Sequence, residues 1–273
     1  MRGYTVVGEN QCAFGYGKAS KTDMKRIIHG ILVITALAGA VSLQAQTADE
    51  IVGKHIAAMG GKDAISKVKS LVTESSISMM GGENPATTTV VDGVGFKSEM
   101  EFNGTKIVQC VTDKGGWMIN PMTGASDPVP MPDDQYKTRK ADIFVGGALY
   151  DYDAKGSKVE LLGKDGGAYK IKLTTKDGAE YLYQIDGTTY LLKSMVTKGD
   201  MQGQQVDITS SLSDYRKTDT GFMVPYAIDL DIGGQFQLTI AVKKVELNKT
   251  IDPSVFDMPK AEPAKAQEPA KTQ

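Results

Sequence analysis

Residues 169–187 read YKIKLTTKDGAEYLYQIDG. Tyr169, Ile171 and Leu173 alternate with Lys170, Lys172 and Thr174, so an extended chain here has one apolar and one polar face. Asp177-Gly178 supplies a turn. Tyr181, Tyr183 and Ile185 then repeat the alternation up to a second turn at Asp186-Gly187. Strands joined this closely must run antiparallel.

The same grammar extends both ways from this hairpin. Downstream, Tyr190, Leu192 and Val196 alternate with Lys193 and Thr197, and Val206, Ile208 and Leu212 alternate with polar neighbours. Val224, Tyr226, Ile228, Leu230 and Ile232 follow, then Gly233-Gly234, then Phe236, Leu238, Ile240 and Val242. Val245 and Leu247 fall on the opposite parity, which predicts a bulge near Lys243-Lys244. Upstream, the period of two begins at Leu71 and is clear at Phe96, Met100 and Phe102. Asn103-Gly104 is a strong type I′ hairpin signal, and Ile107 to Val111 returns from it. Gly115-Gly116 turns the chain into Trp117-Met118-Ile119.

The count is about eleven strands with short turns. A sheet with one wet face must cover the other. So many strands cannot be covered by the few helices available, so the sheet must curl into a barrel or half-barrel. The expected fold is mainly β: a curved antiparallel sheet forming an open half-barrel with a helical lid. Many inward positions are Val, Ile, Ser or Thr, which leaves room for a cavity.

Two segments depart from period two. Ile51, Val52, His55, Ile56 and Met59 recur at helical spacing, with Thr47 or Asp49 available as the cap and Gly60-Gly61 as the stop. A second short helix carries Ala64, Ile65 and Val68. Between 120 and 156, Pro121, Pro128, Pro130 and Pro132 argue against regular strands. One or two short helices are expected around Ile143-Phe144 and Leu149-Tyr150, in an insertion long enough to act as a lid or binding loop.

The termini are expected to stand outside the fold. Met24-Lys25-Arg26 opens a basic region, Ile27 to Val41 is apolar, and Ser42-Leu43-Gln44-Ala45 reads as a cleavage site before Gln46. Residues 24–45 are thus an expected signal peptide; the alternative, a retained anchor helix, is short of the roughly 20 apolar residues that a span needs. Residues 1–23 read as an over-long gene start. No cysteine sits at the cleavage site, so an exported, periplasmic protein without a lipid anchor is expected. Residues 260–273, KAEPAKAQEPAKTQ, form a low-complexity tail that cannot bury a core. The half-barrel domain is assigned to residues 46–259.

The chemistry points away from catalysis. With 31 basic and 33 acidic residues the net charge is −2, which lacks the basic face that nucleic acid demands. After the expected cleavage site, His55 is the one histidine and Cys110 the one cysteine. That is too few for a zinc site or an internal disulfide, and no nucleophile elbow accompanies His55. Asp92, Asp165, Asp177, Asp186 and Asp219 sit at turns, where backbone reasons explain them. No catalytic residue, metal site or cofactor is assigned, and the chain is read as not an enzyme.

Residues 49–71 (DEIVGKHIAAMGGKDAISKVKSL), 181–195 (YLYQIDGTTYLLKSM), 213–235 (SDYRKTDTGFMVPYAIDLDIGGQ) and 245–259 (VELNKTIDPSVFDMP) carry a resemblance. They resemble the LolA-like periplasmic proteins of Bacteroidetes, the outer-membrane lipoprotein-sorting family. The resemblance implies an open half-barrel with helices over an apolar cavity, and the carriage of acyl chains of lipids or lipoproteins. It also implies an arginine latch; Arg139 and Arg216 are the candidates in the expected mature chain, and neither lies in a matching motif.

The expected ligand cavity is lined by Phe96, Met100, Phe102, Trp117, Ile171, Leu173, Tyr183, Ile228, Leu230 and Phe236. Trp117 has a second reading as ordinary core. The expected role is a monomeric carrier or binder of acyl chains. The alternative is a non-catalytic structural or interaction module of the envelope, with an envelope protein as partner.

Overall fold

The computed structural model describes residues 46–201 and 203–260. The expected signal peptide, the 1–23 extension and all but the first residue of the tail lie outside them. Thirteen strands form one curved, unclosed antiparallel sheet. In chain order they are β1 (Ser70–Met79), β2 (Gly82–Val91), β3 (Gly95–Phe102), β4 (Thr105–Thr112), β5 (Gly116–Asn120) and β6 (Ala125–Pro130), then β7 (Lys158–Asp165), β8 (Ala168–Thr174) and β9 (Glu180–Asp186). The last four are β10 (Leu192–Met201), β11 (Gln204–Lys217), β12 (Met223–Ile232) and β13 (Phe236–Leu247). The spatial order is β6-β5-β4-β3-β2-β1-β13-β12-β11-β10-β9-β8-β7, two meanders joined where β1 pairs with β13.

The sheet has thirteen strands rather than about eleven: β7 went unnamed in the sequence, and β2 and β6 escape the alternation rule. β2 holds Pro85 and Thr87 to Thr89, with little apolar alternation. β6 contains Pro128 and Pro130, against the expectation that prolines exclude strands there. Its place at the sheet edge explains this, because a proline without an N–H is tolerated where no further strand pairs.

Local chemistry sets the bends. Asn103 and Gly104 have φ of +51° and +73°, the positive pair that a type I′ turn requires. The β1–β13 register shifts between Glu74, opposite Lys244, and Ser75, opposite Val242, leaving Lys243 as the extra residue of a bulge. Further shifts occur in β5, β7 and β10. Each increases local twist and helps the sheet to curl.

Helix α1 (Ala48–Ala58) starts with a capping box: Thr47 Oγ1 accepts from the Glu50 N–H at 3.2 Å, and Glu50 accepts from the Thr47 N–H at 3.2 Å. Gly60, at φ +112°, ends it. A side chain there would lie 2.4 Å from the Gly221 carbonyl oxygen, so glycine is required for close approach to the β11–β12 turn. Helix α2 (Gly61–Ser66) follows. Both pack their apolar residues onto one face of the sheet, here termed inner: Ile51, Val52, Ile56, Ile65 and Val68 join Ile171, Leu173, Tyr183 and Ile185 in the largest core cluster.

Residues 131–157 connect β6 to β7, the two edge strands. They contain helix α3 (Asp133–Arg139), a 3-10 turn (Lys140–Ile143) and an irregular stretch. This insertion touches both halves of the sheet. Tyr136 Oη donates to the carbonyls of Thr112 and Asp113 on one side, and Tyr181 Oη donates to the Thr138 carbonyl on the other. Ile143 and Leu149 are buried. The segment therefore packs as part of the core across the open seam, rather than as a free loop. After β13 the chain crosses to the outer face, where a 3-10 turn (Pro253–Phe256) inserts Phe256 over β3–β5.

Candidate functional site

Cross-strand partners in an antiparallel sheet share a face, so the register traces the inner face strand by strand. One row runs Leu161–Ile171–Tyr183–Met195–Ser210–Leu230–Leu238. A second runs Leu212–Ile228–Ile240–Ile77–Asn84. A third runs Leu247–Leu71–Val90–Phe96–Val111, with Ala86–Met100–Ile107 beside it. Phe236 pairs with Ile232, and Phe102 follows Phe96 and Met100 at even spacing.

Nine of the ten expected lining residues thus lie on one face: Phe96, Met100, Phe102, Ile171, Leu173, Tyr183, Ile228, Leu230 and Phe236. Trp117 is the exception. It pairs with Cys110, which pairs with Lys97, on the outer face. There its Nε1–H donates to the Phe256 carbonyl at 2.7 Å, as does the Cys110 thiol at 3.3 Å. Gly95 leaves space for the Phe256 ring, which a Cβ would meet at 2.7 Å. Burial pushes the Cys110 thiol up to about 12, so it stays protonated and packs as a small apolar group. Trp117 is therefore core under the C-terminal strap, as its second reading had it.

The nine are not equivalent. Ile171, Leu173 and Tyr183 are buried under the helices. Phe96 packs with Val111, Met131 and Ile143, and the Arg139 guanidinium stacks over its ring at 5.2 Å. Met100, Phe102, Ile228, Leu230 and Phe236 are half-buried and belong to none of the packed clusters among the described residues. Ile208, Ile232, Leu238 and Ile240 share that state and extend the strip, although the sequence reading left them out of the lining. Their signal was present: they occupy the same parity as Ile228, Leu230 and Phe236.

Polar groups on the covered half are tied internally. His55 places Nδ1 2.9 Å from the Tyr190 carbonyl, so this nitrogen carries the proton, and burial lowers its pKa. Arg139 pairs with Asp142 at 3.0 Å, while its Nε is buried without a hydrogen-bond partner. Burial raises the Asp142 carboxyl, and Arg139 opposes that. Lys155 donates to the carbonyls of Tyr150 (2.6 Å) and Gly147 (3.1 Å) and lies 3.9 Å from the Phe144 ring centre; burial lowers it to about 8. Arg216 sits over Tyr226 and pairs with Asp214. These contacts hold the insertion and the sheet; none converges on a reacting atom. Among the described residues no group of His, Cys, Asp or Glu side chains is placed to hold a metal ion.

The fold that these elements define is an open antiparallel half-barrel with helices over one end of its inner face. It is the LolA-like architecture. A LolA superfamily protein from Nitrosomonas europaea is similar at a TM-score of 0.52 and 13% identity, over 78% of this chain and 98% of that one. A DUF1329 family protein from Desulfovibrio piger is similar at 0.50 and 15%, over 78% and 98% respectively. Neither a protein-family model nor a curated protein matches the sequence. No helix among the described residues is long and apolar enough to cross a membrane.

Proposed function

We propose that this protein is a periplasmic binder and carrier of lipid or lipoprotein acyl chains, which lie along the uncovered strip of the inner face. One observation carries the reading: Ile208, Ile228, Leu230, Ile232, Phe236, Leu238 and Ile240 are contiguous by register, half-buried, and outside every packed cluster of the described residues. Apolar surface of this kind marks a binding site in a soluble protein. The likeness to a LolA superfamily protein, and the expected signal peptide, support the same direction.

Burying acyl CH₂ groups contributes about 0.8 kcal/mol each. Association costs at least roughly 4 kcal/mol, so a chain of about sixteen carbons is needed for micromolar binding. Delipidated protein should take up a fluorescent long-chain fatty acid saturably, and native mass spectra of the purified protein should show bound lipid. Absence of both would overturn the reading.

The rival, an envelope interaction module, has the covered half in its favour, since the insertion fills that end of the barrel with Ile143, Ala148 and Leu149. In-cell cross-linking to one dominant protein, with no lipid bound, would select it.

A further inference from the structure

The turns between β1 and β2, β3 and β4, and β5 and β6 lie on one rim of the sheet, opposite the rim reached by the α1–α2 junction at Gly60 and Gly221. Resting on the lipid-binding reading, we propose that this rim docks on the surface of an uncharged bilayer and passes acyl chains directly to the inner face. Met80, at the β1–β2 tip, is 75% exposed, and Met122, at the β5–β6 tip, is 55% exposed. Beside Met122, between the β3–β4 and β5–β6 tips, lies a cleft of about 270 Å³ lined by Phe102, Asn103, Thr105, Ile107, Pro121 and Met122. Phe102 and Ile107 are inner-face residues, so this cleft brings the inner face of β3–β4 to the rim.

Met80 has φ of +52°, a left-handed position that favours glycine or asparagine, as Asn103 shows in the neighbouring tip. Packing does not explain a methionine there, because the side chain projects into solvent. Contact with an apolar phase would explain it.

Charge selects the occupant. The tips Met80-Gly81, Asn103-Gly104 and Pro121-Met122-Thr123-Gly124 carry no charged residue. On the same rim, the turns of the other meander hold Asp177, Asp200 and Asp231; Asp200 and Asp231 accept N–H groups of their own turns, and Asp177 pairs with Lys140. Asp200 and Asp231 disfavour an anionic surface, while Asp177 is offset by Lys140 and by Lys176 in its own turn. A protein partner would need roughly 1,000 Å² of interface, more than two side chains and a small cleft offer.

The test is transfer of a fluorescent fatty acid from the preloaded full-length chain to phosphatidylcholine vesicles. For the wild type, the rate should rise in proportion to vesicle concentration. A variant with Met80→Asp and Met122→Asp should transfer at least tenfold more slowly, at a rate independent of vesicle concentration, while Met80→Asp alone, outside the cleft, should leave affinity in solution unchanged. Met80→Asn should slow transfer while raising the melting temperature, which separates contact from folding. Leu182→Asp, at an exposed apolar position on β9 away from the rim, should change nothing. Transfer that ignores vesicle concentration or the methionine variants would overturn the rim proposal alone, as would rim cross-links to a protein instead of lipid. Failure of the wild type to bind fatty acid at all would overturn the lipid-binding reading and this inference with it.

Discussion

The two ends of the inner face, β8–β9 and β11–β13, belong to one sheet and follow the same alternation, yet only one of them is finished. At the covered end, Ile171, Leu173 and Ile185 are fully buried beneath α1 and the 131–157 insertion. At the other, Leu230, Phe236 and Leu238 occupy equivalent pleat positions but are only half-buried and outside the packed clusters of the described residues. Period-two sequence makes a greasy face; a separate, helical stretch decides how much of it is sealed. The difference assigns stability to one end and binding to the other.

That division can be broken by substitution. Ile171→Ala or Leu173→Ala should lower unfolding free energy by about 2–5 kcal/mol in urea titrations. Leu230→Ala should lose about 1 kcal/mol or less, because the side chain is only partly buried and outside the packed clusters of the described residues. Equal losses at both ends would mean that the strip is core.

The outer face supplies a control. Gly95→Ala drives a Cβ into the Phe256 ring, and overpacking of this kind costs about 1–3 kcal/mol. Acyl-chain affinity should be unaffected, since the C-terminal strap lies on the opposite face from the strip. A large loss of affinity would place the ligand under the strap.

A paired Leu230→Ser and Leu238→Ser variant should weaken fatty-acid binding about tenfold while remaining folded. Isothermal titration with the protein's melting curve measured alongside would show both effects.

The smallest effect is a pH dependence. Burial holds the His55 imidazole below its ordinary 6.5, so below that pH the unfolded chain binds more protons than the folded one. The stability of the neutral, Tyr190-bonded ring is complete above 6.5 and is lost as pH falls through the lowered folded value. Melting temperatures between about pH 7 and about pH 5 should therefore fall less steeply in His55→Gln than in the wild type.

The sheet was largely legible because turns and alternation are local. Asn103-Gly104 and residues 169–187 announce hairpins from their own chemistry, and the Val242-to-Val245 parity slip announces the bulge at Lys243. β2 and β6 were not legible, because Pro85, Pro128 and Pro130 are tolerated only by virtue of neighbours that the sequence does not name. Trp117 went to the wrong face because the Gly115-Gly116 turn sets the β5 register, and one residue of register exchanges the faces. The insertion looked like a lid because loss of alternation reads as looseness. That residues 131–157 bridge the two edge strands is a fact of topology, visible only once the strand order is known.

The most direct measurement is photolabelling with a diazirine fatty acid, followed by peptide mapping. We expect label on the β11–β13 strip, at residues such as Ile208, Leu230, Phe236 and Leu238, displaced by unlabelled fatty acid. Label on the outer face around Trp117, or labelling of the strip that competitor does not displace, would contradict a carrier that holds its ligand on the inner face.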